Sequence, residues 1–445
     1  MTKLKAKTKK PRLLKGFQDF FVEDMLIREY VINTFKKIFE KYGYEPLETP
    51  ALEYSELMLD QSGEEAEKQY YRFKDPGGRD VMLKFEVMIS MCRAVAQNLN
   101  KIQFPYKRYQ IQRTWRAENT QRGRYREFTQ CDADTVGSSS MLCDAEFIQM
   151  GLEVVNELGF KKYVARISNR KFIQGLAEYV GIAEDRFYGF CMSIDKLSKI
   201  GSEKVIDEMV KRRGIEKQNA EKALKLIGLE QYKNLSFRQT VEQMMKTVGS
   251  TKIGKEGLDE LLEILEYFEV ADIEPKLYKF DPSIARGLAS YTGPVWEYEV
   301  LDGGVGSIGG CGRYDKAIGK YIGKEIPATG GSFGIERICD IIKDRKMLDL
   351  GKTCIDALVT VFSEDLWRES LKVADKMRSA GVSAMLYPDT VQLKKQFKYA
   401  DKKDIKWVVV IGEDEVKQNK VTLKDMESGE QVSMSIDAAI NKILK

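Results

Sequence analysis

The 445-residue sequence contains no histidine. That single absence removes Ser-His-Asp and Cys-His nucleophilic catalysis, His-ligated metal sites and any imidazole proton shuttle. Cysteine is sparse: Cys92, Cys131, Cys143, Cys191, Cys311, Cys339 and Cys354 are scattered, odd in number and form no C-x-x-C pair. The pattern argues against a disulfide framework or a zinc site, so no metal ligands are expected, and it fits a reducing cytoplasm. Long apolar runs are missing as well. Trp407-Val408-Val409-Val410-Ile411 is strand-sized, far short of the roughly 18–20 apolar residues of a membrane span, so no membrane partner is expected. Whatever chemistry occurs must use carboxylates, arginine, lysine, the backbone or a bound ion.

What is present suits a globular chain. Hydrophobic residues make up 43% and charged residues 31%, enough to bury a real core, and the length suggests about three domains. The net charge of +4 is too small to prove a nucleic-acid partner, so the distribution of charge matters more than its total. Lys3, Lys5, Lys7, Lys9 and Lys10 have no apolar segment behind them. Residues 1–12 are therefore expected to be a basic tail, available for nonspecific attraction to RNA or simply disordered, and not a signal peptide.

Periodicity organises the rest. Ile27, Val31, Phe35, Ile38 and Tyr42 predict a helix from Asp24 to Tyr42 with Gly43 as its C-cap. Residues 44–50 read as extended. Strands are expected at Tyr70–Lys74 and Val81–Glu86 around the turn Asp75-Pro76-Gly77-Gly78, and a helix over Met88–Asn98. Arg108–Trp115 and Glu127–Thr135 look like paired strands around a polar loop. Residues 170–275 are rich in Lys, Glu, Leu and Met at helical spacing and predict a helical insertion. Strand pattern resumes over Tyr291–Leu301, followed by a glycine-rich stretch and a helix over Gly334–Lys343. Residues 344–352 read as a polar linker. Beyond it, strand, helix, strand, helix, strand alternate from Ile355 to Ile411, a small α/β domain of the parallel-sheet kind.

Two nucleotide-binding signals fail on inspection. Gly304-Val305-Gly306-Ser307-Ile308-Gly309 matches G-x-G-x-x-G but is followed by more glycine, where a dinucleotide fingerprint needs a helix. Gly351-Lys352-Thr353 ends like a P-loop, yet Lys346 stands where its first glycine belongs. The segment from Arg113 to Gly137 is more informative. Arg116, Arg122, Arg124 and Arg126 surround a Gly-containing loop, with Phe128 beyond them. This is either a basic hairpin, solvated or nucleic-acid-binding, or a set of guanidinium forks for phosphates with a flat ring for a base. Lys394, Lys395, Lys398, Lys402, Lys403 and Lys406 likewise form either a solvated helix face or a phosphate-contacting one.

The arginine hairpin resembles motif 2 of the class II aminoacyl-tRNA synthetases, most closely the histidyl-tRNA synthetase family, and the resemblance extends over nearly the whole chain. Leu14–Asp19 and Tyr42 to Pro50 are similar to the family's N-terminal region and motif 1. Phe280–Gly293, with Ala285-Arg286-Gly287-Leu288 and Tyr291-Thr292-Gly293, resembles its histidine-specific motif, and Gly310–Asp315 the glycine-rich partner. Residues 328–337 resemble motif 3. Leu393–Asp401 and Ile411–Glu415 resemble the anticodon-binding domain.

The resemblance implies an α+β catalytic core of class II type, an antiparallel sheet flanked by helices, at residues 13–169 and 276–343. It also implies a helical insertion at 170–275 and a C-terminal α/β anticodon-binding domain at 353–445, in a homodimer. It implies ATP-dependent ligation of histidine to tRNA(His) through a histidyl-adenylate, with ATP as substrate and Mg2+. Arg116 would hold the α-phosphate, Arg124 and Arg337 the distal phosphates, and Glu118 with Phe128 the adenine, with Arg126 also at the ATP site. Arg286 would face the α-phosphate from the other side, where other class II enzymes place a metal; Arg116, Arg286 and Arg337 are then the catalytic set. Glu86 and Gln130 would meet the α-amino group and Asp134 and Tyr291 the imidazole, with Met88 and Tyr314 lining the pocket. Lys394, Lys395 and Lys398 would contact tRNA. Since the attacking carboxylate is already ionised, this reaction needs no general base, and a histidine-free chain can run it. The rival reading is a non-catalytic synthetase-like regulator that senses histidine or uncharged tRNA, but such paralogues tend to lose arginines or the C-terminal domain that are present here.

The sequence departs from the family pattern at Met88, where Thr is usual near the substrate amine, at Ala289 and Ser290, and at Cys311 in a run more often all glycine. Each bears on the substrate pocket. With no histidine, unperturbed side chains titrate near 4 or above 8, leaving only an N-terminal amine near 7.7 between them. A step in kcat/KM between about pH 5.5 and 7 is therefore expected to belong to the substrate's imidazole, with a perturbed carboxylate such as Glu86 or Asp134, or a depressed Cys thiol, as the competing source.

Overall fold

The computed structural model describes residues 10–59, 69–120, 123–286, 290–304 and 306–445. The lysines up to Lys9, Gln121-Arg122, Gly287-Leu288-Ala289 and Val305 lie outside the described residues. Two compact units emerge: residues up to Gln18 with Tyr30–Met347 in one, and Leu348–Lys445 with Asp19–Glu29 in the other.

The first unit is built on an eight-stranded sheet. Its centre is antiparallel: Tyr106–Trp115 pairs with Glu127–Val136, which pairs with Ala328–Gly334, then Ser307–Arg313, Pro294–Val300 and Tyr163–Asn169. Parallel pairings close both edges, Glu45–Pro46 on one side and Tyr278–Phe280 on the other. The hairpin and the helices Val22–Lys41 and Val87–Gln97 follow the sequence expectation within a residue or two. Gly43 ends the first helix at φ +78°, as a C-capping glycine does. The glycine-rich stretch is itself a strand, Ser307–Arg313, and Ala328–Gly334 is another. Neither was expected from pattern, nor were the helix Met141–Glu157 and the strand Tyr163–Asn169.

Period-two alternation gives this sheet two different faces. Cys131, Ala133, Trp296, Tyr298, Cys311 and Phe333 are buried on one face. Helices Val22–Lys41 and Met141–Glu157 pack there through Phe35 on Phe333 at 4.9 Å and Phe147 on Trp296 at 5.6 Å. The other face carries Arg108, Gln110, Gln130, Asp132 and Asp134, also buried. Burying that many polar groups costs free energy unless each finds a partner, so a polar face inside a sheet marks a site and not a core.

Between residues 170 and 270 the described elements are α- and 3-10 helices, from Arg170–Val180 to Lys252–Val270. They leave the sheet after Tyr163–Asn169 and return at Tyr278–Phe280, the neighbouring strand, so sheet pairing continues across the excursion. The second unit has a five-stranded sheet. Ala384–Leu386, Ala357–Val359 and Trp407–Val410 are parallel, as expected. Val421–Asp425 and Gln431–Met434, beyond the alternation read from the sequence, then extend the sheet antiparallel. No helix among the described residues is long and apolar enough to cross a membrane.

Candidate active site

The register of the central strands sets out the polar face in rows. One row runs Gln110, Asp132, Ser332, Gly310, Glu297, and the next runs Arg108, Asp134, Gly330, Gly312, Val295. The glycines are where side chains from elsewhere lie flat on the sheet. A Cβ on Gly310 would stand 2.3 Å from the Arg286 guanidinium, one on Gly312 2.7 Å from the Tyr291 ring, and one on Gly330 2.4 Å from Asp134 Oδ1. Real Cβ atoms do not approach so closely, so the glycine-rich strands are the floor on which three expected site residues rest. Cys311 points to the opposite face, buried against Gly331, where desolvation raises its thiol pKa well above the ordinary value. A buried thiol with a raised pKa is a poor nucleophile.

Arginines gather on one side. Arg286, held at φ +43°, donates from Nη1 to Glu297 Oε1 at 2.6 Å. Burial pulls its pKa down, but Tyr291 and Glu297 beside it outweigh that and raise it, so it stays charged. Arg337 donates to the Ser307 carbonyl at 2.6 Å. Burial, then the neighbouring charge of Arg124 and also of Arg286, depress its pKa. Three arginines from separate stretches are thus close enough to repel one another. Arg124 pairs with Glu118, and Arg126 donates to the Glu118 carbonyl at 3.1 Å. Arg116 lies between two rings, 4.4 Å from the Phe85 centroid and 5.2 Å from that of Phe128, and donates to the Phe85 carbonyl at 3.1 Å.

Carboxylates gather on the other side. Glu86 precedes the helix Val87–Gln97 and lies 3.9 Å from Arg116; burial raises its pKa. Gln130 accepts from the Val87 N–H at 3.1 Å and donates to Ser332 Oγ at 3.2 Å. Asp134 is ion-paired with Arg108 and accepts from the Tyr314 hydroxyl. Met88 packs in the apolar cluster with Tyr291 and Tyr314, its thioether 3.6 Å from Cys92 Sγ. Burial raises Asp132 to about 7 and Asp134 to about 6. These raised carboxylates are the competing source for any pH step that the substrate's imidazole would give near neutrality.

Sequence reading missed Arg108, Asp132, Glu297 and Phe85. Arg108 and Asp132 had a signal: once the hairpin is in register, Arg108 faces Asp134, and Gln130, Asp132 and Asp134 alternate onto one face with Arg108 and Gln110 as their cross-strand neighbours. Phe85 had none. In the second unit, Lys394, Lys395 and Lys398 are exposed on the helix Leu393–Lys402, whose opposite face buries Gln396 and Ala400.

An antiparallel sheet with a buried polar face, crossed by arginines from a hairpin loop, a strap over glycines and a final strand-helix junction, is the construction of a class II aminoacyl-tRNA synthetase. A family model described as histidyl-tRNA synthetase matches residues 16–338, and one described as anticodon binding domain matches residues 356–445. The histidine–tRNA ligases of Wolinella succinogenes and Clostridium tetani are each 36% identical, and each match covers 98% of this chain and 98% of theirs. The crystal structure of histidyl-tRNA synthetase from Nostoc sp. PCC 7120 superposes with a TM-score of 0.85 at 30% identity, covering 98% of this chain and 99% of that one. The chain belongs to the histidyl-tRNA synthetase family. A Bacillus halodurans protein described as an ATP phosphoribosyltransferase regulatory subunit/histidyl-tRNA synthetase shares the fold, with a TM-score of 0.73 at 20% identity. Fold alone therefore does not separate enzyme from regulator.

Proposed function

We propose that this chain activates histidine with ATP and transfers it to tRNA(His). The observation that carries the reading is the division of one site into a cationic half, with Arg116, Arg124, Arg286 and Arg337, and an anionic half, with Glu86, Asp132 and Asp134. A triphosphate and an amino acid have complementary charge in that order. The amino-acid carboxylate attacks the α-phosphorus and pyrophosphate leaves, with charge growing on the transferring and leaving groups, where preorganised arginines stabilise it. Arg116 and Arg286 hold the α-phosphate, Arg124 and Arg337 the distal phosphates, with Arg126 at the rim. Glu118 and Phe128 receive the adenine. Glu86 and Gln130 face the α-amino group; Asp134, Tyr291 and Tyr314 face the imidazole. All three catalytic arginines are present and supported by neighbours, which favours enzyme over regulator.

No group of three or more Cys, Asp or Glu among the described residues is placed to hold a metal. Mg2+ in this reading arrives on the ATP phosphates, keeping several waters, and no protein cage is assigned to it. The lysines on Leu393–Lys402 contact tRNA phosphates. A homodimer in the cytoplasm completes the reading, supported by exposed Leu52, Tyr54 and Phe73 on a small three-stranded sheet. Histidine-dependent exchange of pyrophosphate into ATP tests the proposal, with histidine and no other standard amino acid expected to support it. Tight histidine binding without exchange would point to the regulator.

A further inference from the structure

Among the described residues Asp132 is the carboxylate of the anionic half without an ion pair of its own, though it bonds Ser332 and feels the Arg108 charge. Glu86 has Arg116, and Asp134 has Arg108 and the Tyr314 hydroxyl. Asp132 lies between them, only 3% exposed, and its Oδ1 has no hydrogen-bond partner among the described residues. A buried acceptor left without a donor costs about 1–3 kcal/mol, more if charged. Asp134 Oδ2 in the next row, although ion-paired with Arg108, is likewise without a hydrogen bond, so the two rows together offer a ligand two buried acceptors.

The register identifies the donor. Asp132 and Gly310 share a row with Ser332 between them, and Arg286 lies over Gly310. Neighbouring strands are about 4.8 Å apart, so the row spans about 10 Å from Asp132 to the ground beneath Arg286. An α-amino acid laid along it places its carboxylate toward Arg286 and its ammonium toward Asp132. Its side chain then reaches the next row, about 7 Å along the strands, where Asp134 and Tyr291 stand. Gln130, the other neighbour, already uses its carbonyl on Val87 and its amide on Ser332. Met88 brings only a thioether. We propose that Asp132 accepts the α-ammonium of the amino-acid substrate, an assignment that rests on the amino-acid activation reading above. Its raised pKa, caused first by burial and then modulated by Arg108 (lowering), Asp134 (raising), Ser332 (lowering) and Glu86 (raising), fits. Near neutral pH Asp132 is part-protonated, and an incoming ammonium drives that proton off.

The test pairs histidinol, which keeps the amine, with 3-(imidazol-4-yl)propan-1-ol, which lacks it, as inhibitors of histidine-dependent exchange. Asp132→Asn, close in size and still able to bond Ser332, is expected to weaken histidinol about 10- to 100-fold and the des-amino alcohol by less than about threefold, within the scatter of indirect effects. A wild-type protein without exchange removes the activation reading and this assignment together. Exchange with both compounds weakened alike, or with neither weakened, removes the assignment alone. If Asp132→Asn does not fold, wild-type calorimetry in buffers of different ionisation enthalpy decides. Near pH 7, histidinol should release up to about half a proton more than the des-amino alcohol, and equal release overturns the proposal.

Discussion

Replacing Arg286 by lysine gives the sharpest view of how the cationic half works. In the structure the Arg286 fork is divided: Nη1 is bound to Glu297 at 2.6 Å and the guanidinium also meets the Tyr291 hydroxyl, with the rest of the fork over the glycine floor. A lysine has one compact charge and no rigid fork, so it cannot hold Glu297 and the phosphate with the same geometry. The left-handed backbone at φ +43° is no easier for lysine than for arginine, so the strain term cancels in the comparison. What remains is the loss of one preorganised transition-state donor, about 2.7–4 kcal/mol, or roughly 10²- to 10³-fold in kcat. Because the donor acts on developing charge, KM for histidine should move far less than kcat. The assay is pyrophosphate exchange at saturating ATP with histidine varied, on protein whose melting curve matches wild type. An unchanged kcat, or a change confined to KM, removes Arg286 from the catalytic set.

Other outcomes follow from the same geometry. Asp134→Ala strands the fully buried Arg108 charge and should lower unfolding free energy by about 3–5 kcal/mol in denaturant titration, whereas Arg108→Met with Asp134→Leu should recover much of that stability; a double variant as unstable as the single one contradicts the pairing. Asp132 titrates near 7 when folded against 3.8 as its ordinary value. The folded state thus binds the extra proton, and the contribution of Asp132 to stability is full below about 4 and lost as pH rises through about 7. The stability gain of Asp132→Asn over wild type should accordingly grow between pH 4 and 8; a pH-independent difference refutes the buried titration. Replacing Lys394, Lys395 and Lys398 together by alanine should leave exchange intact, raise KM for tRNA, and flatten the log–log salt slope of tRNA binding by about 2–3. An unchanged slope means those lysines face only solvent.

How legible all this was depended on side-chain chemistry. The hairpin Tyr106–Trp115 and Glu127–Val136 could be read because a polar loop separates two alternating runs. Ser307–Arg313 and Ala328–Gly334 could not, because strands made largely of glycine lack the β-branched and aromatic residues that announce a strand. Their role is to receive side chains from other segments, a property of the tertiary fold that no local window contains. Tyr163–Asn169 is buried on both faces and so lacks the alternation that announces a strand, and it is short and abuts a long helical region that dominates the composition. The antiparallel pair that extends the second sheet follows the last helix-strand alternation, so a period argument ending at Ile411 stops before it. Among site residues, arginines stood out as a cluster in sequence; Asp132 stood out only after register put it between Gln130 and Asp134 on one buried face.

The bare floor formed by Gly310, Gly312 and Gly330 makes the recess respond unequally to mutation. Substitution at a wall position such as Met88 or Gln130 can enlarge or shrink the space. Substitution at a floor position can only fill it, because nothing smaller than hydrogen is available to trade away. A search for variants that accept a bulkier amino acid therefore has no productive moves on these strands and must work from the walls. A search for variants that exclude histidine finds three single-step routes there, each displacing Arg286, Tyr291 or Asp134 from its seat. Drift at the floor is thus one-directional toward inactivity, and the freedom to evolve a new preference belongs to the segments that lie across it.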